Sequence, residues 1–131
     1  MTNVLVIDDD EFVGNSVRTI LELEGYSVEL ASTGRAGLAA LSSSSFDTVV
    51  IDIFMPEMDG IETIRELRRI HPGLPIIAMS GFIFKDKTHP APDFLSMARA
   101  FGATNVLHKP FHPRDLIDMI RDCLLGGGRP S

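Results

Sequence analysis

Apolar residues follow two alternating rhythms along this chain. Short, largely apolar runs occur at Val4–Ile7, Val28–Ala31, Thr48–Ile51, Ile76–Met79 and Val106–Leu107. Runs rich in β-branched and aliphatic residues, with little polar alternation, suit strands covered on both faces. Between them apolar positions recur every three or four residues, the period of a helix with one buried face. Val13, Val17, Ile20 and Leu21 predict a helix over Glu11–Glu24, and Ile61, Ile64 and Leu67 one from Gly60 to about Ile70. A short helix after Ser32-Thr33 carries Ala36, Ala39 and Ala40, and a fourth runs from Asp93 to about Phe101. Leu116, Ile117, Ile120, Cys123 and Leu124 define the last, opening near Pro113, a residue favoured in a first helical turn. Gly25 and His71-Pro72-Gly73 end the helices before them, and the serine run Ser42–Ser45 reads as a loop.

Five βα units in succession predict an α/β fold. Parallel strands need crossovers, these are right-handed, and the outcome is a five-stranded parallel sheet in a three-layer (βα)5 sandwich. One domain is expected over residues 1–125, followed by a flexible C-terminal tail, 126–131, of sequence GGGRPS. No internal repeat is evident.

Composition narrows the function classes. With 131 residues, 44% hydrophobic and 23% charged, the chain has the make-up of a soluble globular domain. A net charge of −6 without a Lys/Arg cluster argues against direct nucleic-acid binding. Cys123 is the single cysteine, which excludes an internal disulfide and favours a cytoplasmic setting. A strand pattern starts after three residues, leaving no room for a signal peptide. The longest uncharged apolar stretch, Leu74–Phe84, is too short to span a bilayer, so no membrane partner is expected.

In such sheets, chemistry gathers at the carboxyl ends of the strands. Asp8 and Asp9 follow the first strand, Asp52 ends the third, Ser80 ends the fourth and Lys109 follows the fifth. Two like charges about 4 Å apart repel by roughly 4 kcal/mol at an effective dielectric near 20. Three converging carboxylates therefore call for a cation, and oxygen-only ligands favour a hard one such as Mg²⁺. The first turn, DDDEF, repels phosphate rather than cradling it, which disfavours a nucleotide or flavin site. Each residue also has a plainer reading. Asp10 reads as a helix cap, and Asp8 and Asp9 alone could be the same. Ser80 alone reads as a strand-end hydroxyl and Lys109 alone as a surface lysine. Their convergence on one edge outweighs these readings. His71, His89, His108 and His112 lack ligand spacing, and Met55, Met58, Met79, Met97 and Met119 read as packing residues.

The segments VLVIDDD (Val4–Asp10), VVIDIFMPEMDG (Val49–Gly60), PIIAMSG (Pro75–Gly81) and VLHKPF (Val106–Phe111), in this order, resemble those of response-regulator receiver domains of two-component systems. The resemblance covers Asn3 to about Leu125 and implies a flavodoxin-like, CheY-like fold. It implies Asp52 as phospho-acceptor, Asp8, Asp9, Asp52 and the carbonyl of Phe54 as Mg²⁺ ligands, and Ser80 and Lys109 as partners of the phosphoryl group. Lys109-Pro110 is then expected to be cis. The donor would be a histidine kinase or histidine phosphotransfer protein, and the output a switched surface read by a downstream protein target. Catalysis would extend only to the domain's own phosphorylation and dephosphorylation. Two other roles fit the same residues: a phosphorelay carrier, and a receiver belonging to a larger hybrid kinase or regulator.

The chain also departs from the family pattern. Val106 stands where the family often places Tyr or Phe, and a β-branched aliphatic has no comparable rotation. The connection Gly81–Pro92 is long and reads either as a cover over the sheet edge or as a docking surface. Phe54 and Phe82, two residues past Asp52 and Ser80, are expected to obstruct hydrolytic water and prolong phosphorylation.

Overall fold

The computed structural model describes residues 2–53, 55, 60–80 and 94–125, with backbone alone for 94–97. Its elements alternate strictly: β1 (Asn3–Ile7), α1 (Glu11–Leu23), β2 (Ser27–Ala31), α2 (Gly34–Ser43), β3 (Thr48–Asp52), α3 (Gly60–Ile70), β4 (Ile76–Ser80), α4 (Phe94–Phe101), β5 (Asn105–His108) and α5 (Pro113–Leu124). All four strand pairings are parallel, in the order β2-β1-β3-β4-β5. The order reverses between β1 and β3, and such a switch point opens a crevice at the strands' carboxyl ends.

The unbroken apolar runs are explained by a sheet with a core on each side. Leu5, Ile7, Val49, Ile51, Ile76 and Ala78 point to one face and pack with Ile64, Leu67 and Ala98 from α3 and α4. Val4, Val6, Val50, Ile77, Met79 and Leu107 point to the other and meet Val17 and Leu21 of α1 and Leu116, Ile120 and Cys123 of α5. Successive strand residues alternate faces, so neither parity can be polar. Each fully buried aliphatic side chain contributes about 2 kcal/mol.

Helix ends follow local chemistry. Asp10 caps α1, its carboxylate accepting from the backbone of Phe12 and Val13, and Thr33 caps α2 through Ala36 N–H. Gly25, at φ 92°, takes the left-handed conformation after α1 that other residues avoid. The serine run is corrected: Ser42 and Ser43 belong to α2. Their hydroxyls donate to the carbonyls of Leu38 and Ala39 one turn back instead of competing for backbone in a turn, and the helix ends at Ser43 with Ser44 as its cap. Met55 and Met79 are buried packing residues as expected, whereas Met58 and the side chain of Met97 lie outside the described residues. The proposed tail 126–131, the Gly81–Pro92 connection, Phe54, Phe82 and His89 also lie outside them.

Candidate functional site

Strand ends deliver the predicted residues to one edge. Asp8 directly follows β1, where its N–H donates to Ala31 O at 3.0 Å and extends the β1–β2 ladder. The side chain is held from both ends. Oδ1 accepts from Asp10 N–H at 2.9 Å, and Oδ2 receives the Lys109 ammonium at 3.1 Å. Asp9 is exposed beside it. Asp52 is the last residue of β3 and buried, and Ile53 N–H still reaches Met79 O, so Asp52 rests on a ladder that continues past it.

Lys109 follows β5, where its N–H donates to Ser80 O at 2.7 Å and ties the two strand ends together. Its Nζ lies 3.1 Å from Asp8 Oδ2 and 3.6 Å from Asp52 Oδ2, with the lysine side chain only 17% exposed. An ammonium this shielded is not the surface lysine its bare sequence suggested. The peptide bond Lys109-Pro110 is cis, as the resemblance implied. Ser80 ends β4 and is buried, one strand over from Asp52, in register with His108.

Asp8, Asp9 and Asp52 each bring one carboxylate oxygen to within 4.8 Å of the others. Among the described residues, three carboxylates against one ammonium leave two negative charges at the edge. An all-oxygen donor set with this charge matches a hard divalent cation. The residues therefore fit Mg²⁺, which Asp8, Asp9 and Asp52 would hold; Phe54, the fourth expected ligand, lies outside the described residues.

Three features escaped the sequence reading. The Lys109–Asp8 ion pair is one, since residue type alone offers this lysine to an anionic ligand and does not reveal the neighbouring acid. His112 is another: its Nδ1 accepts from Arg114 N–H, and Asp115 answers His112 N–H, forming a capping box for α5. An acid three residues after His112, ahead of an apolar helix, was the available signal. The third is the approach of Gly60 to the backbone of Asp52 and Ile53. Val106 is half-buried against the core face shared with α3 and α4.

The sequence profile described as the response regulator receiver domain matches residues 4–121. The chain belongs to this family. Among its relatives, the response regulator MprA of Mycolicibacterium vanbaalenii is 38% identical over 92% of this chain and 49% of its own length. The transcriptional regulatory protein CpxR homolog of Haemophilus influenzae is 33% identical over all of this chain and 54% of its own. The chain thus spans about half the length of the curated relatives it matches. Among solved structures, a receiver domain protein from Clostridium thermocellum superposes with a TM-score of 0.85 at 29% identity, covering 97% of both chains. The chemotaxis protein CheY4 of Vibrio cholerae gives 0.82 at 32% identity, over 95% of this chain and 99% of that one. The receiver fold is CheY-like, as the strand order requires, and a receiver is a signalling domain. Among the described residues no helix is long and apolar enough to cross a membrane.

Proposed function

We propose that this receiver takes a phosphoryl group onto Asp52 from the phosphohistidine of a histidine kinase or histidine phosphotransfer protein. One observation carries the reading. Asp52 stands at the end of a buried strand with Asp8 and Asp9 within 4.8 Å and the Lys109 ammonium at 3.6 Å.

An Asp52 carboxylate oxygen attacks phosphorus in line with the phosphohistidine nitrogen. The O–P bond forms as the P–N bond breaks, and the electron pair returns to the imidazole, which takes up a proton from water. Lys109 offers its charge to a phosphoryl oxygen, and the Ser80 hydroxyl donates to another. Mg²⁺, held by Asp8, Asp9, Asp52 and the Phe54 carbonyl, supplies charge neutralisation when bound. The acyl phosphate is a dianionic group; the partners that Lys109 and Ser80 then prefer bias the domain between two conformations that a downstream protein distinguishes. Residues 1–125 would be the unit that switches, 126–131 a tail, and the cytoplasm its setting.

Intact-mass measurement after incubation with a small acyl phosphate and Mg²⁺ tests this. The wild type should gain one phosphoryl group, and neither Asp52→Asn nor the wild type in EDTA should. An Asp52→Asn chain modified as readily as the wild type would sink the assignment.

A further inference from the structure

We infer that Gly60 is a positioning residue for the acceptor, an inference that rests on the reading of Asp52 given above. Gly60 opens α3 and is buried. Its φ is not in the left-handed region, so its backbone conformation does not require glycine. Glycine is also a poor helix former, so propensity does not explain it. Space does. A Cβ at this position would collide with Asp52 O and Ile53 Cα, and would stand 2.9 Å from Asp52 C.

These are main-chain atoms of the residue that carries the reactive carboxylate and of the one after it. A side chain struck by a new methyl can rotate away; main chain moves only by dragging the strand end with it. The contrast lies within the molecule. A Cβ on Gly37 in α2 would also collide, but with Ile7 Cδ1 and Cγ1, atoms of a buried side chain and not of the main chain. The first turn of α3 therefore bears directly on the backbone that sets where Asp52 stands relative to Lys109 Nζ, 3.6 Å away. The missing side chain of Gly60 defines the depth at which the acceptor sits.

The experiment compares wild type, Gly60→Ala, Gly37→Ala and Gly73→Ala, the last having open space for a Cβ. Phosphorylation by a small acyl phosphate is followed against donor concentration at saturating Mg²⁺, alongside thermal unfolding. Gly60→Ala should lose about 100-fold in rate at saturating donor, as expected for a reacting group displaced by about 1 Å, with the half-saturating donor concentration unchanged. Gly37→Ala should lose thermal stability yet keep its rate, and Gly73→Ala should match the wild type in both. If Gly60→Ala is unfolded in plain buffer, the comparison is made at low temperature with trimethylamine oxide, which favours the compact state. A chain unfolded even there makes Gly60 a folding requirement and overturns the assignment. So does a folded Gly60→Ala phosphorylated at the wild-type rate, or a Gly37→Ala that loses the same factor. A wild type that takes no phosphoryl group refutes the Asp52 reading itself, which separates the two failures.

Discussion

The two edges of the sheet solve opposite problems with the same elements. At the carboxyl edge, Asp8, Asp9 and Asp52 crowd together and, among the described residues, one ammonium faces all three. At the amino edge the contacts tie neighbouring loops and strand starts to one another. Arg68 of α3 donates to the carbonyls of Gly102, His71 and Pro72 and reaches Thr104 Oγ1. Thr104 Oγ1 in turn accepts from Ile76 N–H, Thr48 Oγ1 donates to Pro75 O, and Asp47 accepts from Asn3 N–H. One edge stores charge repulsion for a ligand to relieve; the other stitches loops together. Both edges contribute to stability, but only substitutions at the carboxyl edge should change Mg²⁺ affinity.

The largest effect is expected where the carboxyl edge is most nearly balanced. Asp8 has a side chain with no exposure, and Lys109 reaches it at 3.1 Å. Lys109→Met leaves that carboxylate buried beside two others without the ammonium that reaches it. Removing one partner of a buried pair costs about 3 kcal/mol. Urea unfolding in EDTA should show this loss, and added Mg²⁺ should recover part of it, because a ligand bound only by the folded state stabilises by mass action. Equal stability of variant and wild type in EDTA would mean that Lys109 is not balancing the cluster.

Arg68→Ala probes the other edge. Burial lowers the pKa of the Arg68 guanidinium, which serves three carbonyls. Its loss strands those acceptors and should cost about 2 kcal/mol. Here the comparison sharpens: Mg²⁺ affinity by titration calorimetry and the rate of Asp52 modification should match the wild type. A variant that lost both stability and Mg²⁺ affinity would show that the edges are coupled through α3.

Strand and helix positions were legible because periodicity reports burial directly. The run Thr48–Ile51 has to be covered on both faces, and it is. The site was legible as a set of strand ends, since topology alone carries Asp8, Asp52, Ser80 and Lys109 to one edge. What escaped depends on distances that no spacing encodes. Residue type presents Lys109 as a cation for an anion, whereas packing gives it Asp8 and Asp52 first. Serine reads as a loop former because its hydroxyl competes for backbone, but the hydroxyls of Ser42 and Ser43 bond to carbonyls one turn back within the helix. Gly60 looks like the end of a turn, and only coordinates reveal the main chain pressed against it.

The smallest expected effect has the most diagnostic sign. Asp9 is exposed, unlike Asp8 and Asp52, so its charge is the least compensated and the most screened of the three. Asp9→Asn keeps the shape and removes one repelling charge. In EDTA at low salt the variant should be more stable than the wild type by about 0.5 kcal/mol, the scale of exposed charge interactions. The gain should vanish near 1 M KCl, where screening acts over about 3 Å. With Mg²⁺ present the order should invert, since the variant lacks a carboxylate ligand and should bind the ion at least tenfold more weakly. A substitution that strengthens the empty fold and weakens the loaded one marks an edge kept under strain for its ligand. Loss of stability in EDTA would show instead that Asp9 is held by favourable contacts, and the contrast between the two edges would fail at the residue where it is easiest to measure.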